Sequence, residues 1–204
     1  MRHFTAFVAF ASLAATSALA DGARHVRSLL ELRQRNIVLQ QFDLSCGAAA
    51  LATILRYQHG ESLTERDVAI GLISRDIYIE DPDVIRARGG FSLLDMNRYT
   101  ERLGYDGGAL GSVTYDDLLD LAPAIVPVRL HGYNHFVVFR GAFEDNVVLA
   151  DPAFGNRTMS RHRFIESWIE YADIGHVGFI VERKDGLIPP NRLEPKPSDF
   201  VTLH

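Results

Sequence analysis

The pattern of apolar and polar positions changes near the middle of the chain. In the first half, apolar residues recur at the three- and four-residue spacing of helices. A run of alanine and leucine after Cys46 predicts a long buried helix, and Ser62 to Glu65 has the spacing of a capping box that opens the next helix. The predicted helices are residues 25–35, 46–60, 62–72, 92–104 and 114–121.

After Pro123 the pattern becomes one of strands. Short runs rich in valine and other β-branched residues predict strands, with a turn near residues 143–145 joining two of them and a helix interrupting the series. The predicted strands are residues 37–39, 124–130, 135–142, 146–151 and 176–181, and the interrupting helix is 161–171. A helical first half followed by antiparallel strands indicates an α+β fold with two lobes and a cleft between them.

The two ends of the chain differ from this central part. Residues 1–20 combine a basic start, an apolar run and a small-residue ending, which predicts a secretory signal peptide cleaved before Asp21. We expect a periplasmic or secreted protein without stable membrane insertion once the signal is removed; an uncleaved anchor is the alternative. Residues 21–35 form an N-terminal helical extension, and residues 184–204, which hold four of the eight prolines, form an extended or mobile tail.

Composition narrows the classes of function. Hydrophobic residues make up 47% and charged residues 23%, as in a globular domain rather than a disordered chain. The formal net charge of -5 argues against a nucleic-acid partner, because such a partner requires a basic face. The single cysteine excludes an internal disulfide.

That cysteine, Cys46, stands where a helix begins. The partial positive charge of a helix N-terminus favours the thiolate, so we expect a lowered pKa, with the small residues Gly47 and Ala48 leaving room for a substrate backbone. A buried, inert thiol is the structural alternative.

A thiol nucleophile needs a base, and the base needs a group that orients it. His135 begins a predicted strand and Asp151 ends the partner strand, so antiparallel pairing brings the two within a few residues of each other. Asp151-Pro152 can also be read as an ordinary turn. His131 and His135 have the spacing of a zinc motif, but that motif needs a helix; we therefore expect neither a metal nor another cofactor.

Four segments together resemble a known family. They are Gln40, Ser45 to Ala49, Asn134 to Val138, and Asp151 with Pro152. This set resembles the bacteriocin-processing, double-glycine-leader cysteine peptidases of the papain-like superfamily, in which a glutamine lies six positions before the cysteine. The resemblance extends over residues 36–183, the predicted peptidase domain, and implies a papain-like two-lobed fold.

The resemblance also implies a role for each residue of the site. Cys46 would be the nucleophile, His135 the general base and acid, Asp151 the orienting group, and Gln40 a donor to the oxyanion hole. Because the chain carries a predicted signal peptide and no Walker-type glycine loop, we expect a stand-alone, exported member.

The expected substrate is a peptide or protein, such as a secreted or surface-fibre component, cleaved after small residues and, by resemblance, after Gly-Gly. Two alternatives remain open. One is acyl transfer by the same triad, and the other is a peptide-binding or assembly module without proteolysis.

Overall fold

The computed structural model describes residues 28–74, 76–81 and 83–200. The predicted signal peptide lies outside the described residues. The helices are α1 (Leu29–Arg33), α2 (Cys46–Tyr57), α3 (Glu65–Ile73), α4 (Asp76–Glu80), α5 (Asp83–Arg88), α6 (Leu93–Arg102), α7 (Tyr115–Leu121) and α8 (Arg161–Ser167). The strands are β1 (Tyr105–Leu110), β2 (Ala124–Leu130), β3 (Tyr133–Phe143), β4 (Asn146–Asp151), β5 (Gly155–Ser160), β6 (Glu170–Tyr171), β7 (Gly175–His176) and β8 (Gly178–Arg183), followed by a 3-10 turn at Pro197–Phe200.

One antiparallel sheet organises the fold, with strand order β1-β8-β2-β3-β4-β5. Its central strands are buried on both faces, and alternate residues enter two separate cores. Ile125 and Val138 face the core that contains α2, whereas Val137 and Phe139 face the core that contains Trp168. Burial on both faces explains why β2, β3 and β4 appear in the sequence as nearly continuous apolar runs.

Helix α2 lies directly on this sheet, because its small side chains allow close approach. Ala48, Ala49 and Ala50 are fully buried, and the helix packs against β3 and α3. The Thr53 hydroxyl of α2 accepts a 3.0 Å hydrogen bond from the backbone N–H of Val38. The segment 37–40 therefore lies beside α2, and the strand predicted at 37–39 is wrong because this segment pairs with no strand in the part of the chain that the structure describes.

Two helix predictions require correction. Helix α3 is capped by Thr64 together with Asp67, so the box predicted at Ser62 and Glu65 is displaced by two residues. Helix α8 ends at Ser167 rather than at residue 171. Helices α6 and α7 begin after Ser92 and Thr114, as predicted, each with a capping box.

The C-terminal segment packs on the domain rather than forming a mobile tail. The N–H of Arg192 donates to the carbonyl of Tyr57 at 2.7 Å, and Leu193 is fully buried. Buried Arg140 donates to the Leu193 carbonyl at 2.9 Å and lies 3.2 Å from Asp199. Among the described residues, no helix has both the length and the apolar character needed to cross a bilayer.

Gly155 permits the close return of the chain after β4. It pairs with Asp151 in the sheet at a φ of +89°, and a Cβ there would lie 2.5 Å from the backbone oxygen of Arg33. We expect Gly155→Ala to lower the free energy of unfolding by about 2–3 kcal/mol, since it combines left-handed strain with a backbone clash. Denaturant unfolding followed by circular dichroism measures this loss.

Gly104→Ala is the matched control, because Gly104 has a φ of +84° with open space around it. We expect it to cost about 1 kcal/mol, from strain alone. Equal losses in the two variants would contradict the assigned clash.

Candidate active site

Cys46 is the first residue of α2 and is a partly exposed free thiol. The backbone N–H groups of Phe136, on β3, and of Gly47 act on its sulfur and favour the thiolate. Because Phe136 directly follows His135, the start of α2 and the start of β3 meet at this point. Cys46 and His135, 89 positions apart in the chain, are thereby brought into the same site.

The environment of the sulfur has the opposite effect from the one expected. Burial raises the pKa of the Cys46 thiol, and the negative charge of Asp151 raises it further, although the N–H groups of Phe136 and Gly47 oppose them. The helix N-terminus supplies only a partial charge, and loss of hydration outweighs it. The expected lowering of the Cys46 pKa is therefore wrong, because burial and the charge of Asp151 raise it.

His135 and Asp151 come together through the pairing of β3 with β4, in which Val138 lies opposite Ala150. The His135 Nε2 and Asp151 Oδ2 atoms are 3.5 Å apart. That separation is an ion-pair distance, longer than a well-formed hydrogen bond, and this buried Nε2 has no aligned hydrogen-bond partner among the described residues.

Asp151 is fully buried but remains ionised because several groups stabilise its charge. Burial acts to raise its pKa, but the contact with His135, the N–H of Ala153 and the guanidinium of Arg157 outweigh burial and lower the pKa. Ala153 N donates to Oδ1 at 3.0 Å, and Arg157 Nη1 donates to Oδ2 at 3.2 Å. Nothing in the sequence singled out Arg157, because its place beside Asp151 depends on the register of β5 against β4.

Gln40 is brought to the same region by its backbone. Its N–H donates to the carbonyl of Pro152 at 2.9 Å, which places Gln40 next to the turn that follows Asp151. Its side chain is partly exposed. The role of that amide in an oxyanion hole stays a prediction.

A second buried carboxylate, Glu65, organises the loop between Gln40 and Cys46. It accepts hydrogen bonds from the backbone N–H groups of Gln41, at 2.8 Å, and of Phe42, at 3.4 Å. It also bonds the hydroxyl of Ser45, the residue before Cys46. The sequence pattern placed Glu65 in a helix cap; its actual partners lie 20 to 24 positions earlier in the chain.

The small residues after Cys46 serve packing rather than substrate access. Gly47 and Ala48 are buried, and a Cβ at position 47 would lie 2.6 Å from the Met96 methyl. In contrast, Tyr133 and Phe154 are 74% and 60% exposed, so these aromatic residues flank the His135–Asp151 pair at the surface and not in the core.

The spacing of His131 and His135 resembles a zinc motif, and the structure shows where these residues lie. His131 lies in the turn between β2 and β3, outside any helix. Within residues 28–74, 76–81 and 83–200, no group of three His, Cys, Asp or Glu residues is arranged to hold a metal ion.

Comparison with known proteins gives a consistent result. Residues 77–174, which include His135 and Asp151, match the model of the peptidase C39 family. The chain is 40% identical over 167 residues to a probable functional amyloid protease, FapD, of Pseudomonas fluorescens, covering 79% of this chain and 71% of that protein. The corresponding protein of Pseudomonas aeruginosa is 38% identical over 156 residues, covering 74% and 66%.

A solved structure shares the fold. It is a double glycine motif protease from an AMS/PCAT transporter, in complex with the leader peptide. The TM-score is 0.57 at 21% identity, and the match covers 72% of this chain and 91% of that one.

The single cysteine makes the state of the thiol directly measurable. Because burial raises the Cys46 pKa, we expect the rate of alkylation by iodoacetamide to rise with pH through a midpoint above that of the same chain unfolded in urea. The unfolded chain is the control, because it exposes the same thiol to water. A midpoint below that of the unfolded chain would show that a charged imidazole already stabilises the thiolate.

Proposed function

Because this chain belongs to the peptidase C39 family, we propose that it cleaves peptide bonds with Cys46 as its nucleophile. It is a cysteine peptidase with a papain-like fold, so the proposal concerns which residues act and on what. The observation that carries it is the 3.5 Å approach of His135 to buried Asp151 at the point where β3 meets the start of α2. His135 is then the general base and acid, and Asp151 the orienting group.

The first half of the reaction forms a thioester. As the sulfur of Cys46 attacks the scissile carbonyl carbon, its proton passes to His135; burial raises the pKa of the thiol and so favours its protonated form before attack. Collapse of the tetrahedral intermediate breaks the C–N bond, and His135 gives the proton to the leaving amine. Asp151, ionised in its buried site, stabilises the imidazolium between these steps.

The second half releases the acid product. His135 takes a proton from water as the water oxygen attacks the thioester carbon, and the proton then returns to the sulfur as the C–S bond breaks. In both halves of the reaction the oxyanion of the tetrahedral intermediate needs hydrogen-bond donors. We assign the Gln40 side chain and the N–H of Cys46, at the helix start, to that role.

The substrate is proposed from the relatives and from the sequence. Residues 1–20 have the pattern of a signal peptide, which supports export to the periplasm or beyond. The relatives are named functional amyloid proteases, which supports an exported fibre-forming protein or its leader as substrate. Resemblance to double-glycine peptidases supports cleavage after Gly-Gly.

Cleavage of synthetic peptides tests the proposal. We expect hydrolysis of a peptide with a central Gly-Gly, none with Cys46→Ala, and slower hydrolysis when the glycines are replaced by leucine. Gln40→Ala should lower kcat about 10²–10³-fold, because one oxyanion donor is lost. Gln41→Ala is the matched control and should leave kcat unchanged, because only the backbone N–H of Gln41 is engaged.

Other results would contradict parts of the proposal. Equal rates with Gly-Gly and Leu-Leu peptides would remove the specificity. Amide products formed only when amines are supplied would indicate acyl transfer. Binding without any turnover would indicate a capture module.

The contacts of Glu65 lead to a second prediction, which concerns the loop between Gln40 and Cys46. In Glu65→Gln one carboxylate oxygen becomes an NH₂ that faces N–H donors, so the loop loses one of its two acceptor oxygens and the oxyanion donors lose their alignment. We expect kcat to fall about tenfold with KM little changed, a loss of about 1–3 kcal/mol in the loop interactions. Steady-state kinetics on the Gly-Gly peptide measures both constants.

Asp67→Asn is the control, since Asp67 caps the same helix through Thr64 and does not touch the loop. We expect this variant to lose stability while keeping kcat. A comparable fall in kcat in both variants would mean that Glu65 acts only by stabilising α3.

A further inference from the structure

Two cavities adjoin the Asp151 side of the candidate active site. One, of about 390 Å³, lies between α1, β5 and the 197–200 turn; the other, of about 310 Å³, lies between β2, β5 and α8. His131, Arg157 and Thr158 line both cavities, so the two cavities are adjacent and share a wall. We call the two cavities together the β5 trough, after these three shared wall residues.

The walls of the β5 trough carry an excess of positive charge. Arg33 enters from α1, Arg129 from β2, Arg157 from β5 and Arg163 from α8. Among the described residues, Arg33, Arg129 and Arg163 have no carboxylate oxygen within 4 Å. The whole chain has a formal net charge of -5, so the positive charge of the trough is a local feature and does not reflect the net charge of the protein.

The carboxylates of the trough have other partners. Asp199 lies 3.2 Å from buried Arg140. Glu166 lies 3.4 Å from His162, on the same helix. Among the described residues, neither carboxylate lies within 4 Å of Arg33, Arg129 or Arg163, and Arg129 Nε donates to the neutral amide oxygen of Asn134 at 3.0 Å. Four arginines against two carboxylates leave the walls positively charged, which favours an anion.

The trough is physically connected to the catalytic groups. Arg157 lines it and also donates to Asp151 Oδ2 at 3.2 Å. Phe154, which is exposed, stands at its edge with the guanidinium of Arg157 5.8 Å and the ring of His131 6.1 Å from its ring centre. A polypeptide lying in the trough would therefore contact Arg157, which holds the carboxylate of Asp151.

We propose that the β5 trough binds an acidic segment of the polypeptide substrate, next to the bond that is cut. The inference rests on the proposed function, because it requires a polypeptide substrate that is bound at Cys46 and continues into the β5 trough. Guanidinium groups bind carboxylates through paired N–H donors, and a row of them favours aspartate and glutamate side chains over neutral ones. The same charge accelerates the encounter with an acidic partner at low ionic strength.

Binding to the inactive Cys46→Ala protein tests the trough independently of catalysis. The probe is a fluorescein-labelled peptide with a central Gly-Gly flanked by aspartate and glutamate, compared with a peptide carrying asparagine and glutamine instead. By fluorescence anisotropy we expect the acidic peptide to bind about tenfold tighter at roughly 50 mM NaCl, and the advantage to disappear at roughly 500 mM as screening increases.

Variants identify the residues responsible. Arg129→Gln combined with Arg163→Gln should remove most of the advantage of the acidic peptide while leaving the neutral peptide unaffected. In the protein with Cys46 intact, the same pair should lower kcat/KM for the acidic peptide about tenfold without changing kcat. Arg98→Gln, at an exposed arginine of α6 outside the trough, is the matched control and should change neither value.

The outcomes separate the two proposals. If both peptides bind equally, the trough does not select acidic segments and this inference is wrong. If the neutral peptide is nevertheless cleaved, and cleavage requires Cys46, the proposed function still holds. Preference for the acidic peptide without any cleavage by the intact protein would keep the trough and overturn the proposed function. Binding of single-stranded oligothymidylate as tightly as the acidic peptide would also overturn the inference, because the trough would then be a general polyanion surface.

Discussion

The buried charge of Asp151 is the constraint on which the site depends. A carboxylate without access to water is strongly unfavourable unless donors and cations surround it. Asp151 meets that requirement through His135 on β3, Ala153 in the turn after β4, and Arg157 on β5. This one charge therefore connects β3, the turn after β4 and the edge strand β5 at the candidate active site.

Glu65 imposes a similar constraint on the other side of Cys46. Its carboxylate gathers the backbone N–H groups of Gln41 and Phe42 and the hydroxyl of Ser45. Two buried carboxylates thus contact His135 and hold the loop before Cys46, while burial and the charge of Asp151 raise the pKa of the thiol between them.

Much of the fold was predictable from local patterns. Apolar runs located α2, β2, β3 and β4, and the comparisons confirm the expected family, the papain-like α+β fold and the assignment as a cysteine peptidase. Strands β1 and β5 escaped prediction because they lie at the sheet edges and are rich in glycine and polar residues. The packed C-terminal segment escaped because its partners, Tyr57 and Arg140, are distant in the chain.

Residue type, spacing and strand pattern are local properties, and in the amino-acid sequence they were sufficient to single out Cys46, His135 and Asp151 as candidates. The family resemblance added Gln40. Their catalytic roles remain predictions. Tertiary structure alone decided the direction of the Cys46 pKa, the partners of Asp151 and Glu65, and the charge of the β5 trough. The physical reason is that burial and electrostatic contact arise between segments that only folding brings together, and no local pattern encodes which of them will meet.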